Sequence, residues 1–263
     1  MIAVRALVGR IARDLGRVLT RPAPSAYDVR PFLKTPDPSE MAAIATNDFE
    51  RLFYAHTGRQ SYKWHHYLDV YDRHLTRFRN TSVRILEIGV QHGGSLQIWH
   101  KYFGPDSVVF GIDIDENCRS MSDADAQVRI GSQANPAFLR SVVEEMGGLD
   151  VVVDDGSHVA EHQRISFDAL FPLLSERGVY ICEDICTAYW NVYHNGGYRR
   201  PGTFIELVKQ MIDDLHGWYH EEPQVVVPNA STSIHAICVY DSIVAIEKRP
   251  KDRPFFSGMP PAS

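Results

Sequence analysis

The stretch Arg84–Asp113 constrains the fold more than any other part of the chain. An apolar run of strand length, Val83–Gly89, stops at a glycine, and the next segment spaces its apolar residues as a helix does. A second apolar run, Val108–Ile114, follows. Strand, glycine turn, helix and strand in that order are the unit of an α/β fold with a parallel sheet. Gly89, Gly93 and Gly94 let the backbone turn tightly and approach a ligand closely, and the amides opening the helix at Ser95 add a positive dipole end. The second run carries an acid, Asp113, placed to accept both hydroxyls of a ribose.

Two cofactor classes fit such a unit. A dinucleotide site requires G-x-G-x-x-G, so that a pyrophosphate can rest on the helix end. Here the loop reads E-I-G-V-Q-H-G-G-S, with Glu87 two residues before the first glycine. A carboxylate there repels a pyrophosphate but suits a cationic ligand, and S-adenosylmethionine carries a sulfonium and an ammonium group. In this loop the chain resembles the class I S-adenosylmethionine-dependent methyltransferases.

The following segments bring more polar residues to strand ends. After a polar helix and loop at 115–125, a third strand, Ala126–Ile130, leads into Gly131, Ser132 and Gln133. Ser132 and Gln133 are candidates to contact adenine; the other reading is an ordinary cap for the helix Pro136–Met146. A fourth strand, Leu149–Asp154, ends in Asp154-Asp155-Gly156-Ser157-His158. Asp154 joins the cofactor candidates. After a helix over Glu161–Leu174, a fifth strand, Gly178–Cys182, ends in Glu183-Asp184 and is followed by Cys186. In a parallel sheet both acidic pairs arrive at one edge. Buried carboxylates are costly unless a cation compensates them, and hard oxygen donors suit a magnesium-type ion. Salt bridges or caps are the alternative role for these acids. Two further strands, His235–Tyr240 and Ser242–Lys248, joined at Asp241, read as an antiparallel hairpin at the sheet edge.

Upstream of the first strand, Phe49–Arg79 is dense in aromatics and histidines. Tyr67, Tyr71, His74, Leu75 and Phe78 share one helical face, and the cluster His65, His66, Tyr67 and Tyr71 has the composition of a lid over a site. Met1–Thr20 reads as a basic amphipathic helix, open either to packing on its own domain or a second subunit, in a homo-oligomer, or to adsorption of 1–21 on an acidic membrane surface. Arg21–Ser39 is proline-rich and reads as an extended linker. The expected organisation is an N-terminal extension over 1–48, a catalytic domain over 49–250 whose first part, 49–80, is a helical lid, and an irregular tail over 251–263. Asn191–Gly202, glycine-rich and aromatic, is long enough to line a substrate pocket.

The net charge of −6 gives no support for nucleic acid as a partner, which normally needs a basic face. Cys118, Cys182, Cys186 and Cys238 lack paired C-x-x-C spacing, so neither a zinc cluster nor a disulfide framework is expected, and the compartment is expected to be a reducing cytoplasm.

Taken together, E-I-G-V-x-x-G-G-S, G-I-D-I-D, D-D-G-S-H and E-D-x-x-T-x-Y-W resemble, in order and spacing, the metal-dependent O-methyltransferases of macrolide sugars, and more loosely the rhamnosyl O-methyltransferase and cephalosporin hydroxylase group. The resemblance covers 49–248. It implies a Rossmann-like, doubly wound α/β fold with seven strands, mostly parallel with an antiparallel last strand. It also implies S-adenosylmethionine as cofactor through Glu87, Gly89, Gly93, Ser95 and Asp113, Mg²⁺ on Asp155, Glu183 and Asp184, and a sugar hydroxyl of a glycosylated small molecule as acceptor. At one position the chain departs from the pattern. The macrolide-sugar enzymes usually read E-D-x-H-T after the fifth strand, with the histidine as base, whereas this chain has Cys186. His158 then becomes the first candidate for the base. The competing functions are a non-catalytic S-adenosylmethionine-binding protein, motivated by Cys186, and a dinucleotide-dependent oxidoreductase, disfavoured by Glu87 and the missing third glycine.

Overall fold

The computed structural model describes residues 37–191, 196–224 and 226–259 of the 263-residue chain. The amphipathic stretch 1–20 lies outside the described residues, as do most of the proline-rich stretch and the middle of the 191–202 loop. Seven strands form one sheet: β1 (Arg84–Ile88), β2 (Val108–Asp113), β3 (Gln127–Ile130), β4 (Leu149–Asp154), β5 (Leu174–Cys182), β6 (Ile234–Val239) and β7 (Val244–Lys248). Their spatial order is β3-β2-β1-β4-β5-β7-β6. β7 runs antiparallel to both β5 and β6, and the other pairings are parallel.

The hairpin near the end of the chain therefore joins the sheet by its second strand. Val244, Ala245 and Ile246 are buried, so β7 can lie inside the sheet, while the half-exposed β6 suits the edge. β5 starts at Leu174, ahead of the expected Gly178. The preceding helix is shorter than expected, Ala160–Leu170, and ends in a 3-10 turn at Phe171–Leu173 whose Pro172 cannot supply a helical N–H. The helix Pro136–Met146 lies where its signals put it: Asn135 Oδ1 accepts from the amides of Ala137 and Phe138, proline fills the first turn, and Gly147 ends it at φ 74°. The helix Pro38–Ile44 begins inside the stretch expected to be an extended linker, because the Asp37 carboxylate caps the Ser39 amide at 2.8 Å.

Two apolar layers sandwich the sheet. Helices Pro136–Met146, Ala160–Leu170 and Phe204–Leu215 cover one face. On the other face, the helix Gly94–Phe103 and the segment before β1 pack together. Phe49 sits at its centre, with ring centroids 5.0 Å from each of Tyr71, Trp99 and Tyr102. The segment expected to be a lid is thus partly core, since Phe49, Tyr67, Leu68, Tyr71 and Leu75 are fully buried.

Candidate active site

The parallel strands place their carboxyl ends side by side. Backbone bonds run from Gly89 N to Ile112 O, from Asp155 N to Ile88 O and from Glu183 N to Asp154 O, which brings the glycine loop and both acidic pairs to one edge. Gly89 has φ 96°, and a Cβ there would lie 2.1 Å from the Asp155 carbonyl oxygen. No other residue type lets these two loops meet. Gly94, opening the helix, lies against the backbone of Arg59 and Gln60, so the segment before β1 passes directly over the helix start.

Asp113 shapes the loop from within. Its Oδ2 accepts from the amides of Val90 and Gln91 at 3.0 and 3.1 Å, and its Oδ1 accepts from Asp115 N at 2.9 Å. Ser95 Oγ donates to Glu87 Oε2 at 2.6 Å. Gly93 takes the left-handed conformation that ends the loop. Glu87 itself is fully buried. Its cationic neighbour is Lys63, a residue that sequence patterning passes over.

Lys63 Nζ lies 2.8 Å from Asp155 Oδ2, 2.9 and 3.0 Å from the two Glu183 oxygens and 3.7 Å from Glu87 Oε1. Its side chain is 4% exposed. Burial alone would push the ammonium pKa down, but the charges of Asp155, Glu183 and Glu87 outweigh it and hold Lys63 well above the usual lysine range. Glu183 is driven well above the carboxylate range, by burial first and then by Asp155. With both oxygens on Lys63, Glu183 faces inward, toward the lysine. The signal for Lys63 was one lysine among the aromatics and histidines of 60–66, and no spacing rule connects it with acids 24 to 120 positions downstream.

A second group faces outward. Asp155, His158 and Asp184 each offer a ligand atom within 4.8 Å of the others. His158 Nε2 is 3.8 Å from Asp155 Oδ1 and 3.6 Å from Asp184 Oδ2. The other Asp184 oxygen accepts from Trp64 Nε1 at 2.9 Å and Tyr67 OH at 2.8 Å. His158 (φ 57°) and Asp184 (φ 52°) both adopt left-handed backbone, a strained state for residues with a Cβ that clusters at functional sites. Two carboxylate oxygens and an imidazole converging on one gap have the donor chemistry of a divalent-ion site.

Other expected contacts take different places. Asp154 is wholly buried and accepts from Ser166 Oγ and Tyr180 OH at 2.7 Å each and from Gln133 Nε2 at 3.1 Å, so it ties the core together and cannot reach a cofactor. Gln133 is spent in the same way, its Oε1 accepting from Ser157 N at 2.7 Å. Ser132 Oγ accepts from Ala134 N at 3.1 Å, as a turn residue before the next helix does. His65 pairs with Tyr54 OH at 2.6 Å and His66 with the Asp241 carbonyl at 2.9 Å, so neither histidine of the expected lid faces the acids. Cys186 is partly buried, and burial, then Asp184, raises its thiol pKa against an opposing contact from Ser242.

Residues 86–185, the span holding the glycine loop and both acidic pairs, match the family described as a methyltransferase domain. The chain belongs to the class I methyltransferases. It is 36% identical over 217 residues to the 8-demethyl-8-(2-methoxy-alpha-L-rhamnosyl)-tetracenomycin-C 3'-O-methyltransferase of Streptomyces olivaceus, covering 79% of this chain and 55% of that one. It is 35% identical over 200 residues to the mycinamicin VI 2''-O-methyltransferase of Micromonospora griseorubida, covering 72% and 49%. The fold resembles that of MycE methyltransferase from the mycinamycin pathway, solved with Mg, SAH and mycinamycin VI, at TM-score 0.68 and 31% identity over 87% of this chain and 56% of that one. The chain thus spans about half the length of the curated relatives it matches. Among the described residues no helix is long and apolar enough to cross a membrane.

Proposed function

We propose that this methyltransferase domain transfers the methyl group of S-adenosylmethionine to a sugar hydroxyl of a glycosylated small molecule, with a divalent ion such as Mg²⁺ at the site. The observation that carries the reading is the meeting of Asp155, His158 and Asp184 beside the glycine loop, at one sheet edge. The named activities of the similar proteins support the same acceptor class. The unit that performs it is 49–250.

Asp155 and Asp184 would hold the ion and His158 lies beside them. When bound, the ion supplies Lewis-acid polarisation that lowers the pKa of a coordinated hydroxyl. The chain's own residues do the rest. The glycine loop, held in shape by Asp113, lines the cofactor cleft, and Asp113, although its oxygens also accept from three loop amides, is assigned to the cofactor ribose. His158 Nε2 accepts the proton of the acceptor hydroxyl as the methyl transfers. The Cys186 thiol, kept protonated by burial, is a poor base. Lys63, also held protonated, cannot accept a proton. Three carboxylates, Glu87, Asp155 and Glu183, surround this one ammonium, and that excess of negative charge suits a site for cationic ligands. Catalysis is then chiefly orientation and charge placement.

The test is methyl transfer from labelled S-adenosylmethionine to a panel of rhamnosylated and mycinosylated aglycones, with and without chelator. Transfer that chelator abolishes and Mg²⁺ restores is expected. Transfer that survives exhaustive chelation, or binding of NAD in place of S-adenosylmethionine, would overturn the reading.

A further inference from the structure

A strap, 59–67, crosses the site edge before β1: its Arg59 and Gln60 carbonyls crowd Gly94, Lys63 reaches Asp155 at 2.8 Å, and Trp64 reaches Asp184. Tyr67 at its end is fully buried, yet Trp64 is 38% exposed. Exposure of one ring says little by itself. This indole, however, is held in one orientation. Its Nε1–H donates to Asp184 Oδ1 at 2.9 Å, and its ring lies by that of His66, with centroids 6.0 Å apart. His66 is in turn tied to the Asp241 carbonyl at 2.9 Å. The polar edge of the indole is thus spent on a carboxylate, and the surface that stays in contact with solvent is apolar. Its location is as specific as its orientation. The other Asp184 oxygen lies 3.6 Å from His158 Nε2, so one carboxylate separates the indole from the gap assigned to the reacting hydroxyl.

We propose that the Trp64 indole is the platform on which the acceptor sugar rests, packed against the C–H face of the ring whose hydroxyl reaches His158. This rests on the reading of the domain as a sugar O-methyltransferase, and adds to it the residue that binds and orients the acceptor. A pyranose carries its hydroxyls around the rim and groups C–H bonds on its faces. Those weakly positive hydrogens complement the negative face of an aromatic ring, and the indole offers the largest such face among the side chains. A ring already fixed by Asp184 and His66 loses little freedom when the sugar arrives. Because the same N–H that fixes the ring also sets Asp184, the platform and the carboxylate beside His158 keep a constant relation, and a sugar lying on one presents its hydroxyl at the other.

Steady-state kinetics of the full chain, with labelled S-adenosylmethionine and a rhamnosylated aglycone, separate the ring face from the N–H. Trp64→Phe loses the bond to Asp184 but keeps a ring, and Trp64→Leu loses both. The acceptor KM should stay within about threefold of wild type in the Phe variant and rise about tenfold or more in the Leu variant. Both should share whatever fall in kcat follows from the freed Asp184, and the cofactor KM should stay within about threefold in each. Should Trp64→Leu not fold, as judged by circular dichroism, Trp64→Gln takes its place with the same expectation. Equal acceptor KM in the ring-bearing and ringless variants would overturn the proposal, as would a cofactor KM that rises in parallel with the acceptor KM. A wild type that transfers methyl to no glycoside would instead defeat the sugar reading itself, and this proposal with it.

Discussion

The Trp64 indole N–H donates to Asp184 Oδ1 at 2.9 Å, joining residues 120 positions apart. Tyr67 OH donates to the same oxygen at 2.8 Å and also accepts from the Asp184 amide at 3.2 Å. The segment before β1 therefore sets the carboxylate at the end of β5, turning its other oxygen toward His158. Orientation of one candidate ligand is supplied by residues far from both acidic motifs.

Tyr67 and Trp64 should contribute unequally. Tyr67 is fully buried, whereas Trp64 is 38% exposed. Tyr67→Phe strands a buried amide and should cost about 1–3 kcal/mol of unfolding free energy, whereas Trp64→Phe should cost less. Urea denaturation of the two variants decides the order. A larger loss for Trp64→Phe would mean that its ring packing, and not the hydrogen bond, fixes this corner.

Gly89 and Gly147 form a controlled pair. Both have positive φ, 96° and 74°, but a Cβ at Gly147 meets nothing within 4 Å, while one at Gly89 meets the Asp155 carbonyl at 2.1 Å. Gly147→Ala should carry only the left-handed backbone cost of about 1–2 kcal/mol. Gly89→Ala adds a backbone collision between the cofactor loop and the acidic loop, so it should be the more destabilising and should also abolish S-adenosylmethionine binding in calorimetry. Equal stability of the two variants would show that the loops can part at little cost.

Arg84 and Asp150 supply a pH-dependent tie at the opposite end of the sheet. Arg84 Nε and its backbone N–H both donate to Asp150 Oδ2 at 2.9 Å. Burial acts to raise the Asp150 pKa, but the Arg84 and Ser175 contacts outweigh it, and the net direction is down. A carboxyl with a depressed folded-state pKa adds stability above its unfolded value, near 3.8, and loses it as pH falls through the lower folded value. The stability gap between wild type and Asp150→Asn should be full at neutral pH and close below about pH 4. A gap independent of pH would assign the difference to packing.

How far the sequence could be read follows from the range of each signal. Strand–glycine–helix periodicity is local, and β1, β2, β4 and the helix Pro136–Met146 lie within a residue of their expected bounds. Asp155, Asp184 and His158 were legible because parallel strands bring their carboxyl ends together whatever the side chains do. Lys63 was not, since its place depends on a strap that no periodicity describes. Asp154 and Asp155 look alike in sequence, but adjacent residues at a strand end point to opposite faces. One meets Tyr180 and Ser166 in the core and the other meets Lys63.

Asp154→Ala tests that division. It removes the acceptor shared by the buried hydroxyls of Ser166 and Tyr180 and the Gln133 amide, at about 1–3 kcal/mol for each donor left unsatisfied. Stability should fall by several kcal/mol, with S-adenosylmethionine affinity of the folded fraction nearly unchanged. Lost affinity in a variant of near-normal stability would return Asp154 to the cofactor site.

The assignment of the base separates His158 from Cys186. Cys186 takes the position where the macrolide-sugar pattern has histidine, but burial and then Asp184 raise its pKa, so the thiolate that could accept a proton is scarce at neutral pH. Alkylation of Cys186 by iodoacetamide, followed by mass spectrometry, should therefore be slow at pH 7 and speed up only in the alkaline range. His158 stands within 3.8 Å of both carboxylates that would hold the ion, so a hydroxyl bound there lies within its reach. His158→Ala should lower turnover by about 10²–10⁴-fold with cofactor affinity nearly unchanged, the range for loss of a general base. Cys186→Ala should be mild by the same assay. If Cys186→Ala cripples turnover and His158→Ala does not, the thiol is the base, and its alkylation rate should then prove fast at neutral pH.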